Sequence, residues 1–238
     1  MPQYSGTSSF NPNLNEIIEE AFERCGAELR SGYDMKTARR SLNLLLMEWA
    51  NRGINLWTLD SGTIALVAGT ATYNLPIDTV DLLDHVIRTG SGSSQIDINI
   101  SRISGSSYAL IPTKNAVGRP LQVWINRLSG ATDNDGNVIY PTITVWPVPD
   151  TTQNYSFVYW RLRRLHDAGT GVSGEDIPFR LMPALVAGLS YYLSIKIPGA
   201  AERVTMLKQM YDEEWERAAE EDREKAPIRF VPRQQFMR

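Results

Sequence analysis

Apolar positions along this chain change period twice. Leu14, Ile17, Ile18, Ala21, Phe22, Cys25 and Leu29 recur every three or four residues, the spacing of one helix face. Ala38, Leu42, Leu45, Leu46 and Trp49 do the same in a second stretch. From about 56 to 165 the runs shorten, alternate and fill with Val, Ile, Thr and aromatics, which predicts strands. Helical spacing returns from 177. The order predicts an α+β fold, a helical bundle built from both chain ends. Its two parts are 14–55 and 177–226. They enclose an inserted, mostly antiparallel β-sandwich or barrel-like domain over 56–165. Residues 1–13 and 227–238 are predicted arms.

Punctuation refines the elements. Asn13 with Glu16 three residues on predicts a capping box. Ser31-Gly32 is expected to stop the first helix, Asp34 to cap the second and Gly53 to end it. The short link predicts an antiparallel pair. Ala68-Gly69 between Thr63–Val67 and Thr70–Leu75 predicts a hairpin. Further strands are expected at Val86–Arg88, Ile96–Ile100, Leu121–Asn126, Thr142–Trp146 and Tyr155–Arg161, six to eight in all. Ser101–Tyr108 predicts a short helix or irregular crossing, and Thr132–Asn137 a turn. Pro178 is placed in the first turn of the next helix. There Leu181, Ala184, Leu185, Gly188, Leu189, Tyr192 and Ile195 make a face so broad that this helix is expected at the centre. Pro198-Gly199 ends it. Val204, Leu207, Tyr211, Trp215 and Ala218 predict a final helix, with Glu213, Glu214, Glu216, Glu220 and Glu221 on its wetter sides.

Composition narrows the classes. The chain has 238 residues, 42 % of them hydrophobic, enough for a substantial core. With 24 basic and 27 acidic residues the net charge is −3, which argues against a protein that coats DNA generally. Cys25 is the only cysteine, so no intramolecular disulfide forms, and its place on the apolar face predicts a buried structural thiol. No apolar stretch reaches the length of a membrane span and the first residues lack a signal-peptide core. A soluble protein made in a reducing cytoplasm is expected.

Chemistry is sparse. His85 and His166 stand far apart and predict structural or surface roles. There is no CxxC pair and no glycine-rich phosphate loop. Asp133, Asp135 and Asn137 alternate like the start of a calcium loop, but the twelfth position is Thr144, so a turn is the better reading. No catalytic residue, metal site or cofactor is expected. Arg161, Arg163 and Arg164, near Tyr159 and Trp160, carry three readings: an intersubunit contact, a plain surface patch, or a contact with DNA phosphate. Beyond Pro227, Ile228, Arg229, Phe230, Val231, Arg233 and Arg238 mix apolar anchors with positive charge. That suits either a loose end or an arm docked on a neighbour.

Several stretches resemble the head-to-tail connector proteins of tailed bacteriophages, the adaptor or tail tubular protein A group of short-tailed phages. They are Ala38–Leu46 with Trp49, Asn51–Trp57, Ala71–Pro76, Gly118–Pro120, Val145–Asp150, the helix from Pro183 to Lys196, and Tyr211–Trp215. The resemblance spans roughly residues 14 to 232. It implies a non-enzymatic ring of about twelve subunits below the portal, in the neck or tail of the virion and assembled in the host cytoplasm. The implied partners are other copies of the chain, the portal protein, a downstream tail or nozzle protein, and double-stranded DNA in passage; no membrane is implied. The segment Ile228–Arg238 would reach the portal. Two alternatives stay open, another neck or tail-tube component such as a stopper or nozzle-proximal ring, and a host- or carbohydrate-binding β module.

Overall fold

The computed structural model describes residues 12–52, 56–128, 135–169 and 176–222. The expectations for Gly53, the 132–134 part of the turn and the terminal arm lie outside the described residues. The fold class is α+β. The chain divides into two compact units, one drawn from residues up to Leu56 and from Asp167 onward, the other spanning Trp57–His166.

The helical unit starts with α1 (Leu14–Cys25). Asn13 caps it: Glu16 N–H donates to the Asn13 side chain, and Asn13 N–H donates to the Glu16 carboxylate at 2.8 Å. The helix stops at Gly26, not at Ser31-Gly32. Gly26 takes φ +76° and its N–H turns back onto the carbonyls of Phe22 and Glu23. Glycine reaches this left-handed conformation without Cβ strain. Leu29, expected on the first helix, therefore lies past its end and is half-buried. Helix α2 (Gly32–Arg52) follows. Asp34 is not its cap. Ser31 holds that place, and Asp34 reciprocates from inside the first turn: Asp34 N–H meets Ser31 Oγ, and Ser31 N–H meets the Asp34 carboxylate at 3.1 Å.

Chain resumes in this unit with a 3₁₀ turn, Phe179–Leu181, and then α4 (Met182–Ser194). Pro178 precedes the turn rather than opening the helix, and Pro183 occupies the first turn, where no amide donor is required. Ten of the thirteen residues of α4 are buried, because α1, α2 and α5 (Val204–Glu221) all pack on it. Gly188 is what lets them approach: a Cβ there would stand 2.8 Å from Tyr211 and 2.9 Å from Leu45. Ser190 and Ser194 are buried in this helix and donate to its own carbonyls, Val186 and Tyr191, so they add no unpaired polar group. Pro198 begins a further 3₁₀ turn that leads into α5.

Among the described residues the β unit holds eight strands in two four-stranded sheets. One is ordered β1 (Leu59–Ala65), β8 (Tyr155–Arg163), β3 (Thr79–Thr89), β4 (Ile96–Asn99). The other is ordered β2 (Thr72–Asn74), β7 (Thr142–Trp146), β6 (Gln122–Asn126), β5 (Ser101–Ile103). All pairs are antiparallel except β5 with β6. Leu82, Ile87, Tyr155, Phe157 and Tyr159 from the first sheet meet Val123, Ile125, Ile143 and Val145 from the second in one core. That shared core makes the unit a sandwich. Five-residue α3 (Gly105–Ala109) fills part of the crossing after β5, capped by Ser104.

The expected hairpin across Ala68-Gly69 does not form. β1 pairs with β8 and β2 with β7, so the chain changes sheets at this corner. The local turn is real: Thr70 N–H reaches Val67 O at 3.0 Å, and Tyr73 Oη donates toward the Val67 and Thr70 carbonyls. A turn fixes chain direction, while long-range pairing fixes the partner. β3 is also longer than the Val86–Arg88 core suggested. Two register shifts, between Thr79 and Asp81 and between Leu82 and Asp84, break the alternation that would have revealed it.

Candidate assembly surfaces

An aromatic clasp joins the two ends of the chain. Trp49 of α2 is fully buried. Its indole N–H donates to Tyr211 Oη at 3.0 Å, and its ring lies 5.0 Å from that of Trp215. Arg52, one turn on, places its guanidinium over Trp215 and Tyr211, 4.6 and 5.5 Å from the ring centres. The same guanidinium pairs with Glu48. Tyr192 Oη donates to Glu48 at 2.6 Å. Tyr191 stacks on Tyr211 and meets Tyr192 edge-on. Burial, and then the Glu48 carboxylate, push the Tyr192 phenol far above its ordinary range. Burial pushes Tyr211 up to about 12. Both phenols therefore stay protonated at neutral pH, Tyr192 donating to Glu48 and Tyr211 accepting from Trp49, and the clasp is a hydrogen-bonded seam. A recess of about 430 Å³ lies beside it, lined by Glu48, Arg52, Tyr191, Lys208 and their neighbours. Glu48 and Arg52 were legible at i, i+4 spacing; their tie to Tyr192 was not, because 144 residues separate it from Glu48.

Smaller ties repeat the theme. Cys25 Sγ donates to Ser190 O at 3.2 Å, Lys196 Nζ to Ser41 Oγ at 2.8 Å, and Arg180 pairs with buried Asp222 at 2.7 Å. Burial pushes the Cys25 thiol up to about 11 against the opposing charge of Arg203, so it stays protonated at neutral pH.

In the β unit the arginine cluster separates. Arg161 is 7 % exposed. It sits on the inner face of β8, at the end of the core, and pairs with Asp78 at 2.6 Å and Asp60 at 3.0 Å while donating to Thr79 Oγ1 at 3.0 Å. Its charge is used inside its own unit, which removes it from a surface that meets DNA or a neighbour. Arg163 and Arg164 are not buried; Arg163 donates to the Arg164 carbonyl, and both make further interactions. The first sheet also carries the bidentate pair of Arg88 with Asp97, and its Asp81 pairs with Arg102 and Arg127 from the second sheet's side.

His85 faces the sandwich core, 8 % exposed and stacked 5.8 Å from Phe157. Neither ring nitrogen has a well-formed hydrogen bond. Burial lowers its pKa, and Arg102 lowers it further, against Asp84 and the backbone of Ile100. The folded sandwich thus holds a neutral ring, while the unfolded chain binds a proton once pH falls below the ordinary 6.5. Stability from this site is present above 6.5 and is lost as pH falls toward the lower folded value. Urea midpoints of the wild type are expected to drop between pH about 7 and about 5 more steeply than those of His85→Phe. Parallel slopes would refute the assignment.

Among the described residues no cluster of His, Cys, Asp and Glu could hold a metal ion, and no helix is long and apolar enough to cross a membrane. His166 is exposed in the connection after β8 and is not without a partner. The residues Ile228, Arg229, Phe230, Val231, Arg233 and Arg238 lie outside the described residues.

The family is set by the sequence as a whole. The model of the SU10 adaptor protein matches residues 12–231, and the chain belongs to the SU10 adaptor protein family. It is a bacteriophage adaptor and a structural component of the virion. No curated protein matches the chain. Among solved structures, one that matches is described as the neck of an empty GTA particle computed with C6 symmetry. Identity to it is 12 %, with 80 % of this chain and 82 % of that chain covered and a TM-score of 0.24, too slight a likeness to carry an argument.

Proposed function

We propose that this adaptor forms a ring, of about twelve copies, that sits below the portal, joins capsid to tail and lines the channel through which the genome leaves. The observation that carries the reading is the family match across nearly the whole chain. The architecture supports it. The helical unit, welded by the clasp, is the ring-building part, and the β unit is a carried insertion. Its work is geometric and not catalytic. Copies close on one another, the terminal arm holds the portal, and the opposite end receives the next tail or nozzle protein. A net charge of −3 suits a wall that DNA passes without gripping. Arg163 and Arg164 are placed at a subunit boundary on this reading. Electron microscopy of the protein mixed with its portal tests it. Ring-shaped particles on the portal are expected; a chain that stays monomeric and never joins portal overturns the proposal.

The arm has its own test. Deleting residues 227–238 removes none of the buried stripes, since even Asp222 with its Arg180 partner lies upstream. Thermal unfolding is expected within a few degrees of wild type. Co-sedimentation with portal is expected to fall at least about tenfold, the scale of losing a few apolar and charge-assisted contacts. Unchanged attachment would remove the arm from the portal contact.

A further inference from the structure

Two outer helix faces of the helical unit set exposed charge beside exposed apolar residues. On α2, Lys36, Arg40, Leu44 and Met47 are exposed and follow one another at i+4, i+4 and i+3, so they form one stripe. Leu44 is 53 % and Met47 63 % exposed. Among the described residues neither Lys36 nor Arg40 makes an ion pair. Lys36 lies near the start of its helix, where the dipole favours acids. On α5 the outer face carries Met206, Met210, Glu213, Glu216 and Glu220, all exposed. Glu220 lies in the last turn, which holds no basic residue, and Glu216 just before it. The dipole favours bases there. Arg217, the base nearest these acids, is tied to Glu214.

We infer that the α2 stripe of one copy docks on the α5 stripe of the next, with Lys36 and Arg40 against Glu216 and Glu220 and Leu44 and Met47 against Met206 and Met210. The inference rests on the ring reading above and adds the contact that closes it. Both helices turn their buried sides to α4 and to each other at the clasp, so their outer faces point apart. One chain cannot satisfy its own two stripes. A second copy can, and because the two faces differ, the contact is heterologous and repeats from copy to copy until it closes. Basic-apolar against acidic-apolar fixes the partner and its direction: like stripes repel, so a face-to-face dimer is excluded. Methionines on both sides, Met47 against Met206 and Met210, tolerate a small range of packing angles, which a closing ring requires.

Charge exchange tests this. Assembly is read by mass photometry of the chain alone and with its portal, with circular dichroism as the folding control. The pair Lys36→Glu/Arg40→Glu, and separately Glu216→Lys/Glu220→Lys, are each expected to weaken self-association by about a hundredfold. All four side chains are exposed, and Glu220→Lys puts a base in the last turn of α5, where the dipole favours one, so folding is retained. Mixed together, the two variants restore both contacts, acidic α2 on basic α5 and basic α2 on acidic α5, and are expected to co-assemble into alternating rings that neither forms alone. The chain carrying all four substitutions is expected to form rings again. The milder Lys36→Gln/Arg40→Gln pair is expected to assemble more weakly and to lose the salt dependence of the wild type. If the single-face variants form rings as wild type does, this interface is wrong while the ring reading stands. If the four-substituted chain folds and stays monomeric, one of the faces serves another occupant, the portal or the chain's own arm, and the pairing is overturned. If the wild type forms no ring in any setting, the ring reading itself fails.

Discussion

Trp49→Ala is expected to destabilise the helical unit by about 4 kcal/mol, the range for emptying a large aromatic site. Trp49 is among the largest fully buried side chains of the protein. Its loss opens a cavity between α2 and α5 and leaves Tyr211 Oη without the indole donor at 3.0 Å. Because α2 comes from the first part of the chain and α5 from the last, nothing local compensates. Trp49→Phe keeps most of the packing against Trp215 and loses the hydrogen bond, so about 1–2 kcal/mol is expected. Guanidinium unfolding followed by circular dichroism measures both. A loss below about 1 kcal/mol for the alanine variant would mean that the clasp does not hold the two ends together. Ring formation is expected to fail in Trp49→Ala at temperatures where the wild type assembles.

The second large effect belongs to Arg161→Met. Removing one member of a buried ionic cluster costs about 3–5 kcal/mol when the abandoned charges are sealed from water. Here the Asp60 side chain is half exposed and that of Asp78 partly so, so about 2–3 kcal/mol is expected. A pH series separates this from lost packing. Burial alone would raise the Asp78 carboxyl; the hydrogen bond and charge of Arg161 outweigh it and hold the group below its ordinary 3.8. A depressed carboxyl stabilises the fold above its unfolded value and loses that contribution as pH falls through the folded one. The gap between wild type and Arg161→Met is therefore expected to narrow under acid, below about pH 3.8. A gap independent of pH would show that Arg161 acts through its methylenes.

The misread arginine shows where sequence reasoning stops. Three arginines in four residues suggest a basic surface, and alternation places Arg161 and Arg163 on one face. Nothing local reveals that β8 lies between β1 and β3, or that the loop after β2 brings Asp78 to Arg161 across 83 residues. The pairs of Asp81 with Arg102 and Arg127 are also non-local, 21 and 46 residues apart. The lost hairpin has the same cause. Gly69 and its neighbours make a true turn, yet β1 finds β8 and β2 finds β7 because burying two sheet faces against one another outweighs pairing the nearest strand. The first helix failed differently. Leu29 continues the apolar spacing, but the spacing is silent about Gly26, whose left-handed φ ends the helix four residues after Phe22.

What the sequence by itself determined is what short-range physics governs. The capping box at Asn13, the buried stripes of α1, α2 and α5, the central place of α4 and the α+β class all follow from period, propensity and burial within a few turns. The family, too, was legible in phrases spread along the chain. Only the tertiary structure decided which strand pairs with which, that Arg161 is an internal group, that Trp49, Arg52 and Glu48 meet Tyr192, Tyr211 and Trp215, and which helix faces are left outward. The farthest-reaching of those facts join residues 83 apart, as Arg161 and Asp78, or 162 apart, as Trp49 and Tyr211, and no periodicity reaches that far. Contact across such distances is set by the packing of whole faces, which local spacing permits but does not choose.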